Sequence, residues 1–277
     1  MPAYFTTARL QKQLPAFASL LSSIMGSSPP SYFEPITNAL PRSSYPDRIT
    51  YDMYDFRRQD EKPDTSFYEQ PRFVHHIDDA AISRLKKYYK ATIRPEYSIL
   101  DLCSSWTSHL PEDLRPAVFI GVGLNEAELK ANKHLTSYHV RDLNERPVLQ
   151  EVEDESVDVV ICNVSIDYLT RPVDVVGEVR RVLKEGGTAH MAFSNRCFPT
   201  KVIGKWLRMD DEARRRWVGS YFWADNEAVG IGSEKGGIDG KSGRGCWVDA
   251  KEVVLNEGGY DDPLYVVKAR KSGSIAT

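Results

Sequence analysis

The sequence predicts an α/β fold: a mostly parallel sheet, closed by an antiparallel pair of strands and preceded by a helical and extended arm. Three observations carry this. From Tyr97 onward, short apolar runs alternate with segments of helical character, and strands that alternate with helices build parallel sheets through right-handed crossovers. The first run, Ile99-Leu100-Asp101-Leu102, is apolar but for one carboxylate and gives way to Cys103-Ser104-Ser105. A buried parallel strand reads this way where its carboxyl end faces a ligand. The last two runs, about 251–255 and 264–270, are joined only by Asn256 to Pro263. That gap is too short for a helical crossover, so the pair is antiparallel.

The elements follow in order. The first 33 residues hold no Asp or Glu, and Leu10, Leu14, Phe17, Leu20, Leu21 and Ile24 have helical spacing over 7–25. An organelle transit peptide has a similar composition, but Arg9 and Lys12 are few cations for one, and a helix packed on the body is expected. Residues 26–66 are dense in proline, which excludes a regular element and leaves an extended arm. Asp78 or Asp79 then starts a helix with Ile82, Leu85 and Tyr89 on one face and Lys86, Lys87 and Lys90 towards its end, where the helix dipole favours cations. Pro95 stops it.

Strands are expected at 98–102, 117–122, 137–142, 157–162 and 188–193, with helices at 126–133 and 172–184 and a shorter connection at 104–115. Asn125 followed by Glu128 matches an N-cap with its reciprocal acid. Pro172 suits a first helical turn, Val176, Val179 and Leu183 share a face, and Gly186-Gly187 closes the helix. Beyond these, a helix is expected from about Thr200 to Trp217, then the aromatic run Trp217 to Trp223 and a glycine-rich insertion at about 230–245. Gly237-Ile238-Asp239-Gly240-Lys241-Ser242 falls short of a phosphate loop in spacing, and no strand leads into it.

Composition narrows the function. A net charge of −3 provides no field for nucleic acid or anionic lipid, and no apolar run approaches the roughly 18 residues that cross a bilayer. Cys103, Cys162, Cys197 and Cys246 form no CxxC pair. That argues against zinc and against a disulfide framework, and it fits a reducing, cytoplasmic setting. The six histidines show no metal spacing, so no metal is expected. Nothing in the sequence fixes an oligomeric state.

Four blocks carry a family likeness: Asp101-Leu-Cys-Ser-Ser-Trp106, Arg141-Asp142-Leu143, Ser156 to Asn163 with Asp167-Tyr168-Leu169, and Glu178 to Gly187. Over about 95–270 the chain resembles the class I S-adenosylmethionine-dependent methyltransferases, in particular a methyltransferase-like group with an Asp-Leu-x-Ser-Ser-Trp-x-Ser-His-Leu-Pro stretch. The likeness reaches back to Phe67-Tyr68 and to Pro71 through Asp78. It implies a Rossmann-like methyltransferase sheet over 95–277 that binds S-adenosylmethionine, with 1–94 as arm and lid helices. By the same resemblance Asp101, with Cys103, Ser104 and Ser105, lies near the methionine ammonium. Asp142 accepts the adenine amino hydrogen while Leu143 offers a backbone N–H. Asn163 stands beside the methionine and sulfonium, and Asp167 and Tyr168 face the substrate.

Each role has a plain structural rival: a turn cap for Asp101, a surface turn acid for Asp142, a core position for Tyr168. The chain also departs from the family. Cys103, Ser105 and Thr107 stand where glycines recur, and a left-handed non-glycine residue costs roughly 1–2 kcal/mol, so a different turn is expected. Gly123 stands where an acid would accept both ribose hydroxyls, and Asn125 either supplies an amide there or caps its helix. Tyr68 and Arg72 are expected to hold the cofactor carboxylate, with Arg72 pairing with Asp78 or Asp79 as the alternative. His75, His76, Asp167 and Tyr168 are the catalytic candidates. The expected activity is methyl transfer to an O-, N- or C-acceptor on a small molecule. The rival is a scaffold that binds the cofactor without methyl transfer, as a regulatory partner, cyclase or isomerase. A nicotinamide-dependent enzyme is disfavoured by the absence of GxGxxG.

Overall fold

The computed structural model describes residues 35–228 and 245–273, and among these eight strands form one sheet. They are β1 (Ile36–Ala39), β2 (Ile99–Leu102), β3 (Phe119–Gly123), β4 (Ser137–Val140), β5 (Val157–Asn163), β6 (Leu183–Phe193), β7 (Trp247–Asn256) and β8 (Leu264–Lys271). Their order is β1-β7-β8-β6-β5-β2-β3-β4. The run from β6 to β4 is parallel, and β8, β7 and β1 are antiparallel to their neighbours. The expected parallel strands and antiparallel pair are therefore present. From β2 the chain winds outward through β3 and β4, then crosses back to β5 on the other side of β2. In open α/β sheets this reversal opens a crevice at the carboxyl ends of the two central strands.

Period-two alternation divides the core. Ile99, Phe119, Val159 and Ile161 pack on one face with Ala81, Ile82, Leu85, Tyr88 and Tyr89 of helix α2 (Asp79–Thr92). Leu100, Leu102, Val160 and Cys162 face the other way, onto α4 (Pro172–Val182) and α5 (Asp211–Ala228). The remaining helices are short: α1 (Asp64–Phe67), and α3 (Glu126–Ala131) on the β3–β4 crossover. Asp78 caps α2, accepting from Ala81 N at 2.7 Å. Pro172 opens α4 as its spacing predicts.

Three expectations need correction. The proline-rich arm does contain a regular element. Four of the five residues between Pro35 and Pro41 form the exposed edge strand β1 against β7, a sheet position that tolerates prolines. The helix expected over 200–217 begins instead at Asp211 and runs on through the aromatic run. Residues 203–205 give their N–H groups to Asp167 O, Arg57 O and Asp55 O, so tertiary partners take the donors a helix would use. Asp210 then caps the real helix through Ala213 N at 2.8 Å. Finally, α4 ends at Val182, and Gly186-Gly187 lie inside β6 rather than closing the helix. Gly186 has φ +77° and the register with β5 shifts there, so the pair serves a bulge. The helix expected over 7–25 lies outside the described residues, as does the glycine-rich insertion apart from Gly245.

Candidate functional site

A cavity of about 810 Å³ opens at the carboxyl ends of the parallel strands. Its floor is the loop after β2. Asp101 turns inward, and Ser104 Oγ and Ser108 Oγ both donate to its Oδ2, at 2.7 and 2.6 Å. Asn132 steadies the same loop by donating to Ser105 O at 2.9 Å and Ser108 Oγ at 2.8 Å. Ser104 N donates to Val122 O at 2.8 Å, which folds the turn over the end of β3. A Cβ on Gly123 would stand 2.1 Å from Ser104 O. The missing strand-end acid is thus a steric consequence of the turn. The expectation that this loop avoids left-handed non-glycine backbone holds for Ser105 and Thr107 but fails at Cys103, which has φ +52°.

Burial pushes the Asp101 carboxyl up to about 7, against the two serine hydroxyls that favour its charged form. Asp142, half-buried at the end of β4, is also raised, first by desolvation, while Asn144 N donates to its Oδ1 at 2.8 Å. Its neighbour Leu143 is buried in the wall. Asn163 ends β5 with both ends of its amide engaged: Tyr89 OH donates to Oδ1 at 2.6 Å and Nδ2 donates to Ser108 O at 3.0 Å.

The roof is the segment from Tyr68 to His76. Arg72 does not pair with Asp78 or Asp79. Its guanidinium lies over the rings of Phe67, Phe198 and Tyr68, with centroid distances of 4.2, 5.0 and 5.4 Å, and Nη2 donates to Phe67 O at 3.0 Å. Asp78 is occupied by Ala81 N and Asp262 N. His75 stacks on Trp106 at 5.1 Å, and His76 meets the edge of Phe198 at 5.3 Å. Burial and the charge of Arg72 push His76 below its ordinary value, so it is neutral at pH 7.

Of the residues singled out from sequence, Tyr68, Arg72, His75, His76, Asp101, Cys103, Ser104, Ser105, Asn125, Asp142, Leu143, Asn163 and Tyr168 all line this cavity. Asn125 does so while its side chain is spent within the protein: Oδ1 caps α3, and Nδ2 donates to Tyr68 O and Glu69 O. Asp167 is the correction. The turn Ile166–Tyr168 brings Tyr168 to the cavity, where its OH accepts from Phe198 N at 2.8 Å, and buries Asp167 behind the wall. Asp167 Oδ2 has no hydrogen-bond partner among the described residues, and burial pushes this carboxyl up to about 7.

Sequence reasoning missed the role of Glu128, read as the reciprocal acid of the Asn125 cap; Asn125 does cap α3, but the Glu128 carboxylate turns to the roof and the loop instead. It is buried, with Oε1 accepting from Arg72 N and Oε2 from Ser105 Oγ, both at 2.6 Å. Phe198 was also missed, since a loop aromatic far along the chain carries no local signal.

Residues 104–191 match the family model described as a methyltransferase domain. No curated protein matches the chain. Similar solved structures include an S-adenosylmethionine-dependent methyltransferase from Mesorhizobium loti, at 12% identity over 67% of this chain and 96% of that one, TM-score 0.39. Another is phosphoethanolamine N-methyltransferase 1 of Haemonchus contortus, solved with phosphoethanolamine and S-adenosylhomocysteine, at 11% identity over 77% and 48% respectively, TM-score 0.45. A third is the 4+2 cyclase SpnF, at 15% identity over 76% and 91%, TM-score 0.42.

Proposed function

We propose that the cavity binds S-adenosylmethionine and that the chain transfers its methyl group to a small-molecule acceptor. One observation carries this reading: the methyltransferase-domain match spans the loop after β2 and the strands from β3 to β6, and the carboxyl ends of these parallel strands surround the cavity. The volume, about 810 Å³, lies within the roughly 300–1,000 Å³ of small-molecule sites.

The residues present fit the group. Asp101 is an inward carboxylate suited to an ammonium, and a cation beside it favours its charged form. Asp142 can only accept when ionised, which suits an exocyclic amino donor beside the Leu143 backbone. Ser104 and Gly123 let two backbones approach closely under the ligand. Arg72 and Tyr68 line the cavity and are the groups proposed to meet the ligand's carboxylate. S-adenosylmethionine supplies an activated methyl group. The chain's own residues then orient the acceptor, exclude water and move a proton where the acceptor requires it. Neutral His76 is the group on the wall suited to take that proton. The wall of Tyr168, Phe198, His75 and His76 is the proposed acceptor side.

No helix among the described residues is long and apolar enough to cross a membrane. The four cysteines are free, which supports a reducing, cytoplasmic setting. A second reading, cofactor binding without methyl transfer, draws on the β2 loop, where the Ser104 carbonyl fills the place of a strand-end acid. Calorimetry with S-adenosylhomocysteine, followed by transfer of a labelled methyl group to candidate acceptors, separates the two. Binding with transfer supports the first reading, binding without transfer to any acceptor the second, and no binding sinks both.

A further inference from the structure

We infer that Glu128 is the acceptor of the two ribose hydroxyls of the bound nucleoside. The inference rests on the cofactor reading above and deepens it. A cis-diol is best met by two acceptor oxygens on one carboxylate, as in dinucleotide sites. At the end of β3 no such group can stand, because any Cβ on Gly123 would collide with Ser104 O at 2.1 Å. Leu124 is apolar, and both ends of the Asn125 amide are spent on α3 and on the roof carbonyls. The next carboxylate along this turn that reaches the cavity is Glu128, only 7% exposed.

Its surroundings suit the role. Each carboxylate oxygen holds one short bond, Oε1 from Arg72 N and Oε2 from Ser105 Oγ, both at 2.6 Å. A carboxylate oxygen accepts two hydrogen bonds, so one acceptor site remains on each. The two existing donors come from different segments, the roof and the β2 loop, and they hold the carboxylate in one orientation before a ligand arrives. Preorganisation of this kind removes part of the ordering cost of binding. The other wall carboxylates are placed for other partners. Asp64 holds Arg58, Asn144 and Lys201. Asp101 takes two serines on the loop floor, and Asp142 belongs to the neighbouring strand end.

The test compares adenosine, 2′,3′-dideoxyadenosine and S-adenosylhomocysteine by calorimetry on the wild type, Glu128→Gln and Asp142→Asn. Hydrogen bonds to a charged group contribute about 1.5–3 kcal/mol, so the wild type should prefer adenosine over its dideoxy form by roughly ten- to hundredfold. Glu128→Gln should lose most of that preference while binding dideoxyadenosine as the wild type does. Asp142→Asn should weaken both nucleosides and keep the preference. If Glu128 serves only to fasten roof to loop, its variant weakens both nucleosides equally, and the inference is overturned. Preference that survives in Glu128→Gln but vanishes in Asp142→Asn also overturns it. A wild type that binds none of the three ligands refutes the cofactor reading, and this inference with it. Should Glu128→Gln fold poorly, Glu128→Asp keeps the charge, withdraws it by one methylene and faces the same comparison.

Discussion

At the residue scale, two positions carry strain that can be measured. Cys103 holds φ +52° at the base of the β2 loop, a conformation costing a side-chain-bearing residue roughly 1–2 kcal/mol. Glycine would relieve that but lose about 0.5–1 kcal/mol more chain entropy on folding. Cys103→Gly is therefore expected to raise stability by up to about 1 kcal/mol, with Cys103→Ala near neutral; urea unfolding of the pair checks it. Asp167 is strained electrostatically. Its folded pKa of about 7 lies above the ordinary aspartate value of 3.8, so the folded state binds the extra proton between those limits. Its contribution to stability is then fully present below about pH 4 and is lost as pH rises towards 7 and beyond. Asp167→Asn cannot ionise, so it should gain on the wild type as pH rises from 5 to 8. A stability difference that stays flat across that range would show the carboxyl to be solvated and ordinary.

Elements differ in how firmly they are held. Residues 58–64 are anchored by a buried ionic cluster: Arg58 Nη1 meets both oxygens of Asp64 at 2.7 Å, and fully buried Lys201 donates to Lys62 O at 2.6 Å. The roof beyond Phe67 has lighter ties. Phe73 and Val74 are more than half exposed, Trp106 Nε1 reaches Val74 O at 3.3 Å, and the short bond from Arg72 N to Glu128 is the firmest tether. Low burial and few backbone bonds mark a segment that opens locally. Hydrogen exchange with and without S-adenosylhomocysteine should therefore show amides of 67–76 gaining protection on binding, while 58–64 stay unchanged. Equal exchange at 67–76, with new protection confined to 101–107, would make the roof a fixed anchor. Helix α5 was displaced because the N–H groups of residues 203–205 go to Asp167, Arg57 and Asp55. Those partners are far apart in sequence, and no local pattern announces them.

For the whole molecule, the expected consequence of a filled cavity is a higher melting temperature. A ligand at 100 times its dissociation constant adds about 2.7 kcal/mol, and in a chain of this size each kcal/mol shifts melting by roughly 2–4 °C. S-adenosylhomocysteine should therefore raise the midpoint by several degrees where NAD(P) leaves it unmoved; a midpoint indifferent to both removes the cofactor from the account. The sequence by itself determined the sheet from β2 to β8, but not its edge strand β1. The strand at Ile99–Leu102, the alternation to Phe193 and the short link before Leu264 are local patterns of hydrophobicity and turn length, and they specify parallel strands with an antiparallel close. Asp101, Asp142 and Asn163 were legible for the same reason, since each lies at or within two residues of the carboxyl end of a strand, and the carboxyl ends of parallel strands share one edge. Tertiary structure alone decided the rest. Ser104 O over Gly123, Phe198 against Arg72, and Glu128 between roof and loop are contacts between separate segments, and the packing around the turn at 166–168 buries Asp167 behind the wall. Side-chain type constrains such contacts weakly, and packing and hydrogen bonding select among them only once the sheet has brought the segments together.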